Sequence, residues 1–275
     1  MPAVVDDGEL RQLIARADGG DSAALERVLS SVSDSIYRLA LRMLWNREDA
    51  EDAAQEALIR IMTRIGSYRG EAAVATWAYR VAANHILNFR KSHVEQENLT
   101  FRRYGEELLE GLAAPDTSRP DAGILAEEVK LGCTIGMLQC LDRDHRLAYI
   151  LTDVFDLPGG DAAFICGITP AALRKRASRA RGKLRDFVSA HCGLVNTSAK
   201  CRCDRRVEAA LRNGRVQPDQ LALAQHIDPH DAVGEMERLH DLASLMHNHP
   251  DYRAPEAVTQ AIQAVIASGT YTVLQ

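Results

Sequence analysis

Aromatic residues are scarce in this 275-residue sequence, at 5% of the chain, and a clear alternation of apolar and polar residues is hard to find. Such alternation marks half-buried β-strands, so its scarcity argues against sheet-based folds. Alanine and leucine dominate instead and recur with helical spacing. We therefore predict an all-α fold, and the length favours two or three modules over one.

The sequence also lacks the apolar runs of membrane proteins. No run approaches the ~18–20 residues that a helix needs to cross a bilayer. The first residues, MPAVVDDGELRQ, have neither the cationic start nor the apolar core of a secretory signal. We therefore expect a cytoplasmic protein with no membrane partner.

Signatures of catalysis are missing as well. We find no glycine-rich phosphate loop, no nucleophile elbow and no paired-carboxylate site. The sequence therefore predicts no catalytic residues, no enzymatic activity and no required cofactor.

Changes in composition divide the chain into four parts. Helical patterns fill residues 9–92, and a polar, acid-rich stretch with two prolines follows at 93–122. That stretch is typical of a flexible linker. A second helical block spans 123–190, and a helical extension with cysteines and histidines spans 191–275.

Positive charge is concentrated in one predicted helix, although the net charge of the chain is −5. From Arg174 to Asp186 the sequence carries seven cationic residues and one acidic residue. Thr169 is a favourable N-cap for this helix, and Pro170 is a favourable first residue. A short predicted helix and the turn CGIT come before it, and this order is typical of a helix-turn-helix.

The second helix of such a motif lies in the major groove of DNA. The candidate DNA contacts on it are Thr169, Ala171, Arg174, Lys175, Arg176, Ser178, Arg179 and Arg181. The alternative is a solvated cationic helix with no DNA partner. A helix-turn-helix by itself also fits a transcriptional repressor or activator.

The first block adds several motifs at fixed intervals. Acidic residues occupy one side of the predicted helix REDAEDAAQEALIRIMTRI, and an apolar stripe occupies the other. A loop containing RG follows, and then TWAYRVAANHILNFRK, which begins apolar and ends basic. Together with GITPAALRKRASRARGKLR, these motifs resemble the extracytoplasmic function (ECF) sigma factors of bacterial RNA polymerase. The resemblance covers about residues 20–190.

The resemblance implies an alternative sigma factor that binds core RNA polymerase and directs it to promoters through their −10 and −35 elements. The implied partners are the β′ coiled coil and β flap of the polymerase, promoter DNA and an anti-sigma factor. The polymerase-binding residues carried over are Asp49, Asp52, Gln55 and Glu56, and an acidic face suits a basic coiled coil. Those carried over for the −10 element are Tyr68, Arg69, Gly70, Arg80, Asn84, Asn88, Arg90 and Lys91. The helix from Thr169 would bind the −35 element.

The extension at 191–275 is an addition to the minimal members of that group. His191, Cys192, Cys201 and Cys203 have the ligand types of a structural zinc site, and free thiols or a redox pair are the alternatives. Residues 217–275 contain eight acidic residues and two arginines. We therefore hypothesise that the extension docks on the sigma core and regulates it. The competing hypotheses for the chain are a helix-turn-helix regulator and a metal- or redox-sensing regulator.

Overall fold

The structure is a computed structural model that describes residues 6–90, 99–116, 119–219, 221, 223–224, 242–247 and 249–268. Within these residues it contains twelve α-helices and no β-strand, which confirms the predicted all-α fold. In chain order the helices are α1 Asp7–Asp18, α2 Ser22–Leu44, α3 Arg47–Thr63, α4 Val74–Asn88, α5 Phe101–Leu109, α6 Ala122–Gln139, α7 Arg143–Tyr149, α8 Gly159–Cys166, α9 Pro170–His191, α10 Cys203–Arg212, α11 Leu242–His247 and α12 Glu256–Ser268. None of these helices is long and apolar enough to cross a membrane.

The chain divides into two compact units. The first comprises Met1–Ser92, Leu157–Arg174 and Tyr252–Gln275, and the second comprises His93–Asp156 and Lys175–Asp251. Helix α9 therefore begins in the first unit and continues in the second.

Helices α1 to α4 form the larger part of the first unit. Asp21 caps α2, because its carboxylate accepts a hydrogen bond from the backbone N–H of Ala24 at 3.0 Å. Asn46 caps α3 in the same way through the N–H of Asp49, at 2.8 Å. Helix α3 packs against both α2 and α4. The Asn46 cap fixes the start of α3, and the packing against α2 and α4 fixes its rotation.

Alanine determines how closely these helices pack. Ala50, Ala53, Ala54 and Ala57 of α3 are fully buried. Because a methyl side chain adds little volume, the neighbouring helices come close to the backbone of α3. The acidic side chains of α3 lie on the side of the helix that does not pack against α2 and α4.

The turn of the predicted helix-turn-helix has the expected local structure. Gly167 ends α8 with a φ of 64°, in the left-handed region that favours glycine. The hydroxyl of Thr169 accepts a hydrogen bond from the N–H of Ala172 at 3.2 Å and caps α9. The predicted N-cap at Thr169 and the first position of Pro170 are both confirmed.

In the second unit, α10 packs against α6. The contact is made by five buried apolar residues, Leu125, Ala126, Val207, Ala210 and Val216. Farther along α6, the carboxylate of Glu128 accepts hydrogen bonds from the backbone N–H groups of Leu223 and Ala224, the latter at 2.6 Å. Helix α5 lies inside the predicted linker, and two of the backbone carbonyls at its end accept from the buried Arg206 of α10.

Replacing one of the buried alanines tests the packing of α3. Ala57→Leu adds three carbon atoms where none of the side chain is exposed, so we expect a loss of about 2 kcal/mol in the free energy of unfolding. Chemical denaturation measures this change in the free energy of unfolding. Ala23→Leu makes the same change at an exposed position of α2 and serves as the control. Equal denaturation midpoints for both variants would show that the packing around Ala57 can accommodate a larger side chain.

Candidate nucleic-acid interface

The loop between α3 and α4 is held by aromatic and polar contacts. The Tyr68 hydroxyl donates to the carbonyl of Ala72 at 2.8 Å, and its ring meets Trp77 edge-on with 5.6 Å between ring centres. The guanidinium of Arg11, from α1, lies 5.8 Å from the centre of the Tyr68 ring and donates to the same carbonyl at 3.2 Å. Side chains of α1 and α4 therefore both hold this loop.

A pocket of about 300 Å³ opens between the loop and α4. Four of the residues predicted for the −10 element line it: Tyr68, Arg69, Arg80 and Asn84. Trp77, only 9% exposed, supplies an aromatic wall, and Phe164 of α8 lies over Arg80 at 4.5 Å from ring centre to guanidinium. A flat apolar wall beside guanidinium and amide groups suits a planar ring with polar edges, such as a nucleobase.

The remaining −10 candidates of the loop and α4 lie outside this lining. Gly70 is in the loop with a φ of 75°, a left-handed conformation that favours glycine. The amide of Asn88 donates to the backbone carbonyl of Asn84 at 2.7 Å. Lys91 lies outside the described residues.

Arg90, also predicted for the −10 element, pairs with residues predicted for polymerase binding. Its Nη2 atom lies 2.9 Å from Asp49 Oδ1 and 3.2 Å from Asp52 Oδ2. The Asp49 side chain is 14% exposed, whereas those of Asp52 and Glu56 are more than half exposed. Gln55 is half-buried beside them. The structure thus joins the basic end of α4 to the acidic face of α3.

His85 joins the same two helices. Its side chain is 7% exposed, and Nε2 lies 3.4 Å from Glu56 Oε2. Burial, and next the positive charge of Arg60, lower the pKa of His85 below its ordinary value despite the opposing effect of Glu56. Burial and Arg60 therefore both disfavour the protonated imidazole.

Helix α9 has a buried stripe and an exposed face. Leu173, Ala177, Ala180 and Leu184 form the stripe. Seven of the eight predicted DNA contacts are exposed: Thr169, Ala171, Arg174, Lys175, Ser178, Arg179 and Arg181. Of the five cationic contacts, Arg174, Lys175 and Arg179 form no ion pair with another described residue.

The other two predicted contacts on α9 are paired within the protein. Arg181 places Nε 2.6 Å and Nη2 3.0 Å from the two carboxylate oxygens of Asp153. Arg176 lies 3.3 Å from Asp144. These two arginines are oriented by acidic residues of the second unit, whereas Arg174, Lys175 and Arg179 are exposed.

The four residues predicted as zinc ligands do not all come together. The ring of His191 packs on Phe187, with 4.8 Å between ring centres, and lies beside Gly105. Cys192 and Cys201 pair through a parallel β-bridge, and Cys203 begins α10. Nowhere in the described part of the chain are three or more His, Cys, Asp or Glu side chains arranged to hold a metal ion.

Cys133 of α6 lies near the other thiols, although it was not among the residues predicted from the sequence. Burial, and then the thiols of Cys201 and Cys192, raise the pKa of Cys133 to about 12. Burial followed by Cys192 raises the pKa of Cys201 to about 11. Burial, followed by the other three thiols, also raises the pKa of Cys203. Sequence reasoning missed Cys133 because it is remote in the chain and lies on an apolar helix face.

Comparison with known proteins finds relatives of both helical blocks. Residues 29–95 match the family Sigma-70 region 2, and residues 131–184 match Sigma-70, region 4. The chain is 30% identical to the RNA polymerase sigma-H factor of Pseudomonas aeruginosa over 176 residues, 62% of this chain and 89% of that protein. It is 27% identical to the ECF RNA polymerase sigma factor SigW of Bacillus subtilis over 178 residues, 64% and 95% of the two chains. Among solved structures, the sigma factor RpoE of Bartonella quintana, in complex with the anti-sigma factor NepR, aligns at 22% identity and a TM-score of 0.41, over 57% and 92% of the two chains.

The lowered pKa of His85 predicts a loss of stability in acid. The folded chain binds this proton less readily than the unfolded chain, so stability falls as the pH drops below the ordinary histidine value of about 6.5. We expect a lower denaturation midpoint at about pH 5.5 than at pH 7.5, and a smaller difference in His85→Gln. The same pH difference in both proteins would contradict this role of His85.

Proposed function

The chain belongs to the extracytoplasmic function group of sigma factors, so it is an alternative sigma factor that directs RNA polymerase to promoters, and we propose a role in that function for each of its surfaces. Sigma factors are transcription initiation factors and in general need no cofactor. For this chain we propose action in the cytoplasm, on core RNA polymerase and promoter DNA, without enzymatic activity.

The acidic face of α3 is the proposed polymerase-binding surface. Asp52 and Glu56 are exposed, Gln55 lies between them, and Asp49 is held by Arg90. Carboxylates on a rigid helix attract and orient a basic coiled coil. The β′ coiled coil is the proposed partner of this face, and the β flap is the proposed partner of the second helical block.

The pocket beside α4 is the observation that carries the DNA-binding proposal. A base pulled from the duplex loses stacking at a cost of a few kcal/mol, which a pocket with an aromatic wall and hydrogen-bonding groups repays. Trp77 supplies the wall, while Asn84 and Arg80 supply polar groups for a base edge or a phosphate. We assign the pocket to a base of the −10 element.

The exposed face of α9 is the proposed reader of the −35 element. Its capped N-terminus presents Thr169 and Ala171, and Arg174, Lys175 and Arg179 follow on the exposed side. An N-terminal turn facing bases with cations facing phosphates is the arrangement of a recognition helix. The other two proposed contacts, Arg176 and Arg181, are oriented by their ion pairs with Asp144 and Asp153.

The extension at 191–275 is proposed to regulate these activities, and an anti-sigma protein remains a proposed partner. In addition, we propose that the side chains of Cys133, Cys192, Cys201 and Cys203, which in the described part of the chain are not arranged around a metal ion, rearrange to bind a structural zinc ion. Neighbouring thiols from α6 and from both ends of the α9–α10 loop support this proposal, since zinc prefers a tetrahedral thiolate set. The positive charges of Arg206 and Lys130 nearby would balance the thiolates.

Transcription with defined variants tests the sigma assignment and the two DNA surfaces. With core RNA polymerase and a promoter selected by the holoenzyme, we expect the full chain to give a run-off transcript. Asn84→Ala should lower promoter opening about tenfold, and Arg174→Ala should weaken promoter binding about tenfold with a smaller salt slope.

Arg185→Ala removes an exposed cation of α9 that is outside the proposed contacts and serves as the control. Duplex DNA binding by the chain alone, with no transcript, would favour a repressor or activator instead. If Arg185→Ala lost as much promoter affinity as Arg174→Ala, α9 would contribute only nonspecific electrostatic attraction to DNA.

Metal analysis tests the zinc proposal. We expect the full chain, purified under reducing conditions with zinc, to hold one zinc ion per chain by elemental analysis, and Cys133→Ser to lose it. Cys140→Ser, at the C-cap of the same helix, and His191→Gln should both retain the ion. If Cys133→Ser kept the zinc ion and His191→Gln lost it, the ligand set predicted from the sequence, with His191 in place of Cys133, would be supported instead.

A further inference from the structure

The last described part of the extension, residues 252–268, packs on the first helices of the chain. Tyr252 is buried, and the guanidinium of Arg42 lies 5.3 Å from the centre of its ring. The backbone N–H of Ala254 donates to the carboxylate of Asp34 at 2.9 Å. Helix α12 then lies along α2 and α3. One end of the extension is thus attached to the helices that carry the proposed polymerase-binding surface.

Helix α12 covers an apolar groove between α2 and α3. Its own apolar side chains Val258 and Ile262 are one turn apart and 2% and 5% exposed. Ile262 lines the same small pocket as Leu29 of α2 and Leu58 of α3. At the edge of the groove, the amide of Gln263 donates to the carboxylate of Glu26 at 2.6 Å.

The groove adjoins the polymerase-binding residues. Side chains three positions apart are neighbours on a helix, so Asp52, Gln55 and Leu58 form one continuous row on α3. Helix α12 covers the Leu58 end of this row, and the Asp52 end is exposed. A helix with its side chains is about 10 Å wide, whereas neighbours in the row are only about 5–6 Å apart. A second helix laid on Asp52 and Gln55 therefore meets the space that α12 occupies.

We propose that α12 and core RNA polymerase compete for the groove between α2 and α3, so that the polymerase binds fully only after α12 has left. This inference rests on the proposed role of Asp52 and Gln55 in polymerase binding. The partner that fits the surface is a helix with basic side chains for the acidic face of α3 and apolar side chains for Leu29 and Leu58.

The contacts of α12 allow such displacement. Val258 and Ile262 are the buried residues of this thirteen-residue helix, and a helix of that length is marginal in water by itself. Glu256 is its only charged residue, so α12 gains no attraction from the acidic face of α3. A basic partner gains both the apolar contact and the electrostatic attraction. The polymerase therefore has the advantage once it is close.

A charge placed at the edge of the groove tests the competition. Gln263→Glu sets a carboxylate against Glu26 and weakens the docking of α12 without altering α3. We expect this full-length variant to bind core RNA polymerase about fivefold more tightly than the original chain, in a titration of labelled sigma factor. Combining it with Glu26→Gln restores an amide–carboxylate pair with the roles exchanged, and the affinity should return to its original value.

Ala264→Glu adds the same charge at an exposed position of α12 and should leave the affinity unchanged. Hydrogen exchange of residues 256–268 reports whether α12 has been released, and Ile262→Asp, with a carboxylate inside the groove, is the stronger release variant. Unchanged affinity in a variant whose α12 exchanges faster would overturn the competition. Failure of every version of the chain to bind core polymerase would instead refute the sigma-factor surfaces proposed above.

Discussion

The row of alanines on α3 is the constraint on which the other surfaces of this protein depend. Because Ala50, Ala53, Ala54 and Ala57 are fully buried, α2 and α4 pack close to the α3 backbone. That packing leaves one side of α3 for acidic residues and fixes the rotation of α4 beside the pocket. The proposed polymerase surface and the proposed −10 pocket are therefore parts of one packed group of helices, and neither can be moved without the other.

Acidic residues in this chain organise positive charge as much as they offset it. Asp153 and Asp144 hold two arginines of α9, whereas Arg174, Lys175 and Arg179 keep their charge for a ligand. Ion pairs between exposed side chains contribute at most about 1 kcal/mol of stability, so their main effect is to set side-chain direction. A chain with a net charge of −5 can thus present a local cationic surface to DNA.

Local features of this fold could be predicted from the sequence because they depend on neighbouring residues. The caps at Asp21 and Thr169 and the apolar stripe of α3 follow from cap chemistry and helical period. Contacts between distant residues could not be predicted in this way. The pairing of Arg90 with Asp49, the packing of Phe164 on Arg80 and the approach of Cys133 to the other thiols all depend on the tertiary arrangement. The predicted contact residues themselves remain predictions until their variants are measured.

The ion pairs of Arg90 also couple the two proposed ligands of this protein thermodynamically. A guanidinium paired with Asp49 and Asp52 is less available to a phosphate, and the paired carboxylates are less available to a basic coiled coil. On the proposed assignments, a polymerase that took over these carboxylates would release Arg90 toward DNA, and DNA that took Arg90 would release the carboxylates. By linkage, each proposed ligand would then raise the affinity of the chain for the other by the same factor. The pair thus acts as an internal counterion that favours the complete assembly over either partial one.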